Sequence, residues 1–194
     1  VTQRTRLAFP EITIGLFPDA GGTLVMRNLP PKIAALLTMT GGQVNATDAL
    51  ALGVGTHLID HEGRADFLEG LKQLNWQAGS PDANTEVLQN YLARQTHVGG
   101  LPSSDVAEVD IETIDLSNLK ACFDSILALE GTSKWMDRGI ANLRNGCPVT
   151  AGIIFKQLGL GPTLSPAECF MTELAIATNC LSRPDFVEGV RALL

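Results

Sequence analysis

The first sixty or so residues alternate short apolar runs with turn residues, and the remainder has apolar residues at helical spacing. Residues 1–9, VTQRTRLAF, alternate polar and apolar side chains, a pattern that predicts a β-strand. Residues 54–60, VGTHLID, form a short β-branched and apolar run that predicts a second strand. Three short helices are predicted between these strands, beginning near Gly21, at Pro31 and near Asn45.

Capping residues support these three helices. Asp19 is placed to cap the helix that begins near Gly21, and Asn45 or Thr47 to cap the third helix. The second helix, residues 31–39, has a proline at its first position and Gly41 just beyond its end, which is the usual asymmetry of helix termini.

From about residue 63 onward, apolar residues recur every three or four positions, which predicts a mainly helical region. The last of these helices opens with the capping-box pair Ser165 and Glu168. One long loop is predicted over residues 97–110. The helical segments are residues 63–74, 84–95, 116–130, 132–145, 150–158 and 165–181.

The fold class that follows is α/β, with residues 1–62 as the strand-and-loop edge of a core and residues 63–194 as a helical C-terminal region. Two strands are too few to make a stable sheet by themselves. The rest of the core is therefore expected in upstream sequence. The chain also ends inside an apolar run, EGVRALL, so the extreme C-terminus of the fold is expected beyond it.

Composition narrows the range of partners. The apolar content of 45% is typical of a globular protein, and no apolar stretch approaches the length of a membrane span. The net charge of −7 argues against nucleic acid as the main partner, because phosphate binding requires concentrated Lys and Arg. We therefore expect neither nucleic acid nor a membrane as a partner.

The cysteines and histidines do not have the spacing of metal ligands. The four cysteines form no CxxC pair, and His57 and His61 lie four residues apart without the intervening Glu of a zinc-protease helix. The third histidine is His97. No metal site is expected, and the cysteines are typical of small apolar residues in a reducing compartment.

The stretch FPEITIGLFPDAGG, residues 9–22, holds the candidate chemistry. Glu11 and Asp19 are its two carboxylates, and a glycine-rich loop between a strand and a helix is a common position for catalytic groups. Two acids could take different roles if burial raised the pKa of one of them. The alternative is structural: Asp19 caps a helix and Glu11 is a solvated charge at a strand end.

The segment PEITIGLFPDAGG resembles the PE-x-x-x-G-x-x-P-x-x-GG motif of the crotonase (enoyl-CoA hydratase/isomerase) superfamily, which acts on acyl-CoA thioesters. Residues 40–60, TGGQVNATDALALGVGTHLID, and residues 179–194, NCLSRPDFVEGVRALL, resemble two further stretches of that superfamily. The resemblance implies a crotonase-like fold with a ββα spiral core, of which this chain would be the C-terminal half.

Individual residues indicate which branch of the superfamily the chain resembles. Ordinary enoyl-CoA hydratases usually have Gly at the position of Asp19, whereas Asp19, the Thr56–His57 pair and the SRPDFVEGVRA ending resemble 3-hydroxyisobutyryl-CoA hydrolases. This resemblance implies a thioester hydrolase of valine catabolism, with coenzyme A as part of the substrate and no separate cofactor. It further implies a bacterial cytoplasmic protein, or a mitochondrial-matrix protein if the source is eukaryotic.

By the same resemblance, Glu11 matches the catalytic glutamate and Asp19 its partner aspartate. Both would contact substrate, and Gly21 and Gly22 would let the backbone approach it, although a simple turn or packing role is the alternative for these glycines. The two oxyanion donors of the superfamily come from upstream segments, so we expect residues 1–194 alone to be inactive. Relatives often assemble, so a homo-oligomer is also allowed.

The sequence is also compatible with two other functions. One is an enoyl-CoA hydratase or isomerase of the same superfamily, and the other is a noncatalytic helical interaction module. His57 has no suitable serine near it in sequence, and we expect its imidazole to pack and hydrogen-bond locally. Trp76 and Trp135 lie on helical patterns and are expected to serve in packing.

Overall fold

The computed structural model describes residues 1–95 and 100–193. Within them the chain forms two short strands and ten α-helices: β1 (Arg6–Leu7), α1 (Gly22–Arg27), α2 (Pro31–Thr40), β2 (Val44–Asn45), α3 (Ala46–Ala51), α4 (Arg64–Lys72), α5 (Pro81–Gln95), α6 (Leu119–Leu127), α7 (Lys134–Asn145), α8 (Pro148–Leu160), α9 (Pro166–Leu181) and α10 (Pro184–Leu193). Residue His97, at the start of the predicted long loop, lies outside the described residues.

The predicted helices are confirmed, and the expected cap residues set the ends of α2, α3 and α9. Helix α2 begins at Pro31 and ends at Thr40, and the φ of 60° at its C-cap residue Gly41 is the left-handed conformation that favours glycine. Asn45 caps α3 in a capping box with Asp48. Ser165 and Glu168 form the predicted capping box of α9.

The strand predictions are largely wrong. Of residues 1–9 only Arg6–Leu7 is a strand, and it pairs with Val44–Asn45, which was not predicted as one. Residues 54–60 form no strand. The Val1 amine donates to the His57 carbonyl at 2.7 Å, and the Ile59 amide donates to the Val1 carbonyl at 2.9 Å. These two hydrogen bonds do not extend into a ladder. A strand requires such a continuing partner, which the alternating pattern alone does not supply.

The chain divides into two compact units, one of residues 1–6 and 44–104 and the other of residues 7–43 and 105–194. In the first unit, the cap of α3 also anchors the segment before residue 105, because the side-chain amide of Asn45 donates to the Ser103 carbonyl at 2.7 Å. Helices α4 and α5 of this unit have no fully buried residues. The division predicted at residue 62 stays a prediction.

Helix α2 forms the centre of the second unit. All of its residues from Ile33 to Thr40 are buried, and α7 and α8 pack against it. The buried hydroxyls of Thr38 and Thr40 donate to carbonyls one turn earlier, at 2.6 Å each, so no polar group of these side chains is left unsatisfied in the core. A Cβ at Gly139 would lie 2.9 Å from the Thr40 Cβ, which shows how closely α7 approaches α2.

Helix α10 packs against the 3₁₀ turn Pro10–Ile14, which carries Glu11. The two backbones touch at glycines on both sides. A Cβ at Gly15 would lie 2.7 Å from the Asp185 carbonyl oxygen, and one at Gly189 would lie 2.8 Å from the Ile14 Cα. Such distances do not occur for real Cβ atoms, so this contact requires glycine at both positions.

A Gly189→Ala variant should therefore be less stable than the wild-type protein by about 1–3 kcal/mol, the usual cost of overpacking. The free energy of unfolding in urea measures the effect. The control is Gly159→Ala in α8, where a Cβ would meet nothing within 4 Å. Alanine there should leave stability unchanged or raise it by about 0.5–1 kcal/mol. Equal effects at the two positions would contradict the close contact.

None of the helices in residues 1–95 and 100–193 combines the length and the apolarity that crossing a lipid bilayer demands.

Candidate active site

Glu11 lies on a rigid 3₁₀ turn. Pro10 occupies the first position of the turn and Gly15, at φ 71°, ends it. The Glu11 carbonyl accepts hydrogen bonds from the amides of Gly15 and Leu16. Ile12 is fully buried, and its carbonyl accepts a hydrogen bond from the Cys147 amide at 3.0 Å. The turn is thus fixed to the core immediately after Glu11.

The carboxylate of Glu11 is half-buried, and its Oε2 atom is buried without a hydrogen bond from any described residue. Burial raises the pKa of Glu11 above its ordinary value, its own backbone amide partly offsets this, and the charge of Asp19 raises the pKa further. The structure thus brings the two predicted carboxylates close enough to interact. The reading of Glu11 as a solvated strand-end charge does not fit this position.

Asp19 lies in the loop between this turn and α1. Phe17 and Pro18, just before it, are buried, whereas Asp19 itself is half-buried. Ala20 follows at φ 50° and Gly21 at φ 94°, so two consecutive residues adopt left-handed conformations. Such a conformation is strained for alanine and persists only when the surroundings hold it.

Asp19 does not cap α1, contrary to the prediction. The N-cap residue is Gly21, which offers no side-chain hydrogen bond, and Asp19 contributes only its carbonyl, which accepts from the Gly22 amide at 2.7 Å. The cap comes instead from Glu173 on α9. Its carboxylate accepts from the Gly21 amide at 2.8 Å and from the Thr23 amide at 2.9 Å. The Asp19 carboxylate is therefore not required at the start of α1.

A second distant side chain holds the same loop. The Gln157 side-chain amide on α8 donates to the Pro18 carbonyl at 3.0 Å and to the Thr23 hydroxyl at 2.9 Å. Gln157 and Glu173 are both nearly fully buried. Sequence reasoning missed both residues, because they lie more than 130 positions from the loop. The available signal was that each is a polar residue within an apolar helical segment.

The two glycines predicted to contact substrate lie at this helix start. A Cβ at Gly22 would come within 2.8 Å of the Pro18 Cβ, so the tight turn itself requires glycine there. At Gly21 the positive φ is the constraint, since a Cβ would make only ordinary contacts with the Phe170 ring at 3.5 Å. Both observations support the turn and packing role for these glycines, and contact with substrate stays a prediction.

The histidine and tryptophan candidates make hydrogen bonds with other described residues. The His57 ring hydrogen-bonds the neighbouring Thr56 hydroxyl at 2.9 Å, as expected of a locally satisfied imidazole. Trp76 donates to the Leu71 carbonyl and Trp135 to the Gln43 carbonyl. The four cysteines are free thiols, and burial raises the pKa of Cys122 to about 11. Among the described residues, no three His, Cys, Asp or Glu side chains form a group that could hold a metal ion.

Comparison with known proteins extends over the whole chain. A family profile described as enoyl-CoA hydratase/isomerase matches residues 1–194. Curated relatives include proteins named mitochondrial 3-hydroxyisobutyryl-CoA hydrolase from Dictyostelium discoideum, 28% identical, from Danio rerio, 30% identical, and from Homo sapiens, 29% identical. Each match covers 100% of this chain and 50% of the relative. The chain therefore spans about half the length of the curated relatives it matches.

Two solved structures share the fold. A carnitinyl-CoA dehydratase from Mycobacterium thermoresistibile matches 100% of this chain and 53% of its own length, with a TM-score of 0.79 and 21% identity. An enoyl-CoA hydratase from Rhodobacter sphaeroides 2.4.1 matches 97% of this chain and 51% of its own, with a TM-score of 0.68 and 22% identity.

Proposed function

Because the chain belongs to the enoyl-CoA hydratase/isomerase family, we propose that the protein of which it is a part hydrolyses an acyl-CoA thioester. The family profile over residues 1–194 and the structural neighbours agree with the family and the crotonase-like fold that the motif predicted. Within the family, the proposed substrate is 3-hydroxyisobutyryl-CoA, and the products are 3-hydroxyisobutyrate and free coenzyme A. The names of the curated relatives support this choice, which would place the reaction in valine breakdown.

The observation that carries the proposal is the state of Glu11. A carboxylate oxygen that is buried without a partner loses the stabilisation that water would give it, unless a substrate or a water molecule completes its hydrogen bonding. The same partial desolvation makes the carboxylate a stronger base and nucleophile, because its pKa is raised. Glu11 is therefore suited to begin thioester cleavage.

Two routes are open to Glu11. As a nucleophile it would attack the thioester carbonyl, expel the coenzyme A thiolate and form an acyl anhydride, which water would then open. As a general base it would take a proton from a water molecule that attacks the same carbonyl. Both routes pass through an oxyanion that needs hydrogen-bond donors. In the family these come from upstream segments, so residues 1–194 alone are expected to be inactive.

Asp19 would have a second role in binding or cleaving the same substrate. Its carboxylate would bind the 3-hydroxyl of the substrate, or assist the departing thiolate and the attacking water. The absence of a capping role supports this assignment, since nothing in the helix start requires an acid at this position. A hydratase with Gly there would lack this group.

An enoyl-CoA hydratase is the second candidate, supported by the description of the matching family profile and by the name of one structural neighbour. Separate assays of the intact protein with 3-hydroxyisobutyryl-CoA and with an enoyl-CoA distinguish the two. We expect release of free coenzyme A, measured with a thiol reagent, from the first substrate. A change in the enoyl absorbance without thiol release would instead support hydration and would contradict hydrolysis.

A further inference from the structure

The loop that holds Asp19 is fastened at both ends by side chains from distant helices. Before Asp19, the Pro18 carbonyl accepts from the Gln157 amide at 3.0 Å. After it, the amides of Gly21 and Thr23 donate to the Glu173 carboxylate at 2.8 and 2.9 Å. Only Asp19 and Ala20 lie between the two attachment points. The backbone that carries the Asp19 side chain is thus held on both sides by these contacts.

The backbone between the attachments is in a conformation that it would not hold by itself. Ala20 has φ 50°, a left-handed conformation that is unfavourable for any residue with a Cβ atom. The two hydrogen bonds to Glu173 begin immediately after this residue. They oppose its return to a relaxed conformation, which would turn Asp19 away from its present position.

Glu173 and Gln157 are chemically matched to these tasks. A carboxylate only accepts hydrogen bonds, so it can satisfy two backbone N–H groups at once, whereas an amide would place an NH₂ group against one of them. Gln157 must present its NH₂ group to the Pro18 carbonyl, because a carbonyl can only accept. Both side chains are almost fully buried, so water cannot easily replace these hydrogen bonds.

We infer that Glu173, with Gln157, is a positioning residue for the thioester-hydrolysis step, which acts by holding Asp19 in place. The inference rests on the proposed function. It assigns to α9 a part in turnover that acts through Asp19 and does not require contact with the reacting atoms. Small errors of position are costly for a catalytic group, since a displacement of about 1 Å can lower the rate about 100-fold.

The test is a double-mutant cycle in the intact protein with Glu173→Gln and Asp19→Asn, assayed for coenzyme A release from 3-hydroxyisobutyryl-CoA. Glu173→Gln alone should lower kcat by roughly 10- to 100-fold with little change in KM. In the Asp19→Asn background, the same substitution should cause no further loss, because the group that it positions is already missing. A purely structural role for Glu173 would make the two losses multiply.

The control is Glu168→Gln on the same helix. Glu168 also accepts a backbone N–H, from Ser165 at 2.7 Å, but it caps α9 itself and does not contact the loop. The Glu168→Gln variant should have slightly lower thermal stability than the wild-type protein and an unchanged kcat. If Glu173→Gln does not fold, Gln157→Met removes the opposite attachment with a similar shape, and its loss of kcat should likewise vanish in the Asp19→Asn background.

The outcomes separate this inference from the proposed function. A large loss in Asp19→Asn, combined with multiplying losses or with unchanged kcat in Glu173→Gln, would overturn the positioning role and leave hydrolysis intact. Unchanged hydrolysis in Asp19→Asn would overturn the role of the carboxylate pair and, with it, the positioning role. Loss of kcat in Glu173→Gln that disappears in the double variant supports both.

Discussion

A Glu11→Gln variant of the intact protein should lose about 10²- to 10⁴-fold in kcat for thioester hydrolysis, the range that general-base groups contribute. Glutamine has nearly the same shape and keeps the 3₁₀ turn packed, but its amide is neither a nucleophile nor a base at neutral pH. Affinity for acyl-CoA should change little. Coenzyme A release over a range of substrate concentrations gives kcat and KM separately.

The pH dependence of the wild-type protein tests the same role. Glu11 must be ionised to attack the carbonyl or to accept a proton, so hydrolysis should rise as pH increases through its pKa. Because burial and the charge of Asp19 raise that pKa, the acidic limb should lie above the ordinary value of 4.5. Glu11→Gln should have no such limb in its residual activity.

The matched control for Glu11→Gln is Glu130→Gln. Glu130 is exposed and forms a salt bridge with Arg144, away from the 3₁₀ turn in sequence. The loss of a surface ion pair should alter stability by less than about 1 kcal/mol and should leave hydrolysis unchanged. Wild-type kcat in a folded Glu11→Gln protein would rule out both routes proposed for this residue.

The helical part of the fold could be predicted from sequence because its signals are local. Pro31 and Gly41 bracket α2, and the Ser165 and Glu168 pair starts α9, through contacts within one or two turns. The turn that carries Glu11 is local in the same sense, since the proline before Glu11 and the glycine at the end of the turn shape its five residues. Local chemistry sufficed for these features.

The strands and the helix cap could not be predicted because they depend on distant partners. Residues 54–60 have strand-like composition, yet within the described part of the chain their backbone hydrogen bonds with Val1 do not continue into a ladder. Asp19 has the sequence position of a helix cap, but a carboxylate 152 residues from Gly21 occupies that role. A pattern of neighbouring residues does not reveal which of two acids will reach a helix terminus.

The capping of α1 by Glu173 changes the effect that is expected from a substitution of Asp19. If Asp19 capped α1, removing its side chain would disturb the helix start, and any loss of activity would have a structural explanation. Since Glu173 supplies the cap, the Asp19 carboxylate can be removed with the helix start intact. Substitution at this position therefore reports on chemistry more directly than the sequence suggested.

An Asp19→Gly variant should accordingly lose about 100-fold or more in hydrolysis while its affinity for acyl-CoA stays near that of the wild type. Glycine is also the residue that ordinary hydratases usually have here, and it can adopt any backbone conformation that the loop requires. Asp19→Asn is the companion variant, because it removes the charge without adding flexibility. Similar losses in both variants would identify the carboxylate, and not loop rigidity, as the property that matters.

The pH profile of Asp19→Gly provides a second, independent readout. The negative charge of Asp19 is one of the causes that raise the pKa of Glu11. Without it, ionised Glu11 is less disfavoured, so its pKa should fall and the acidic limb of the residual hydrolysis should move to lower pH. Equal losses in acyl-CoA binding and in kcat, or a limb that does not move, would mean that the two carboxylates do not act at one site.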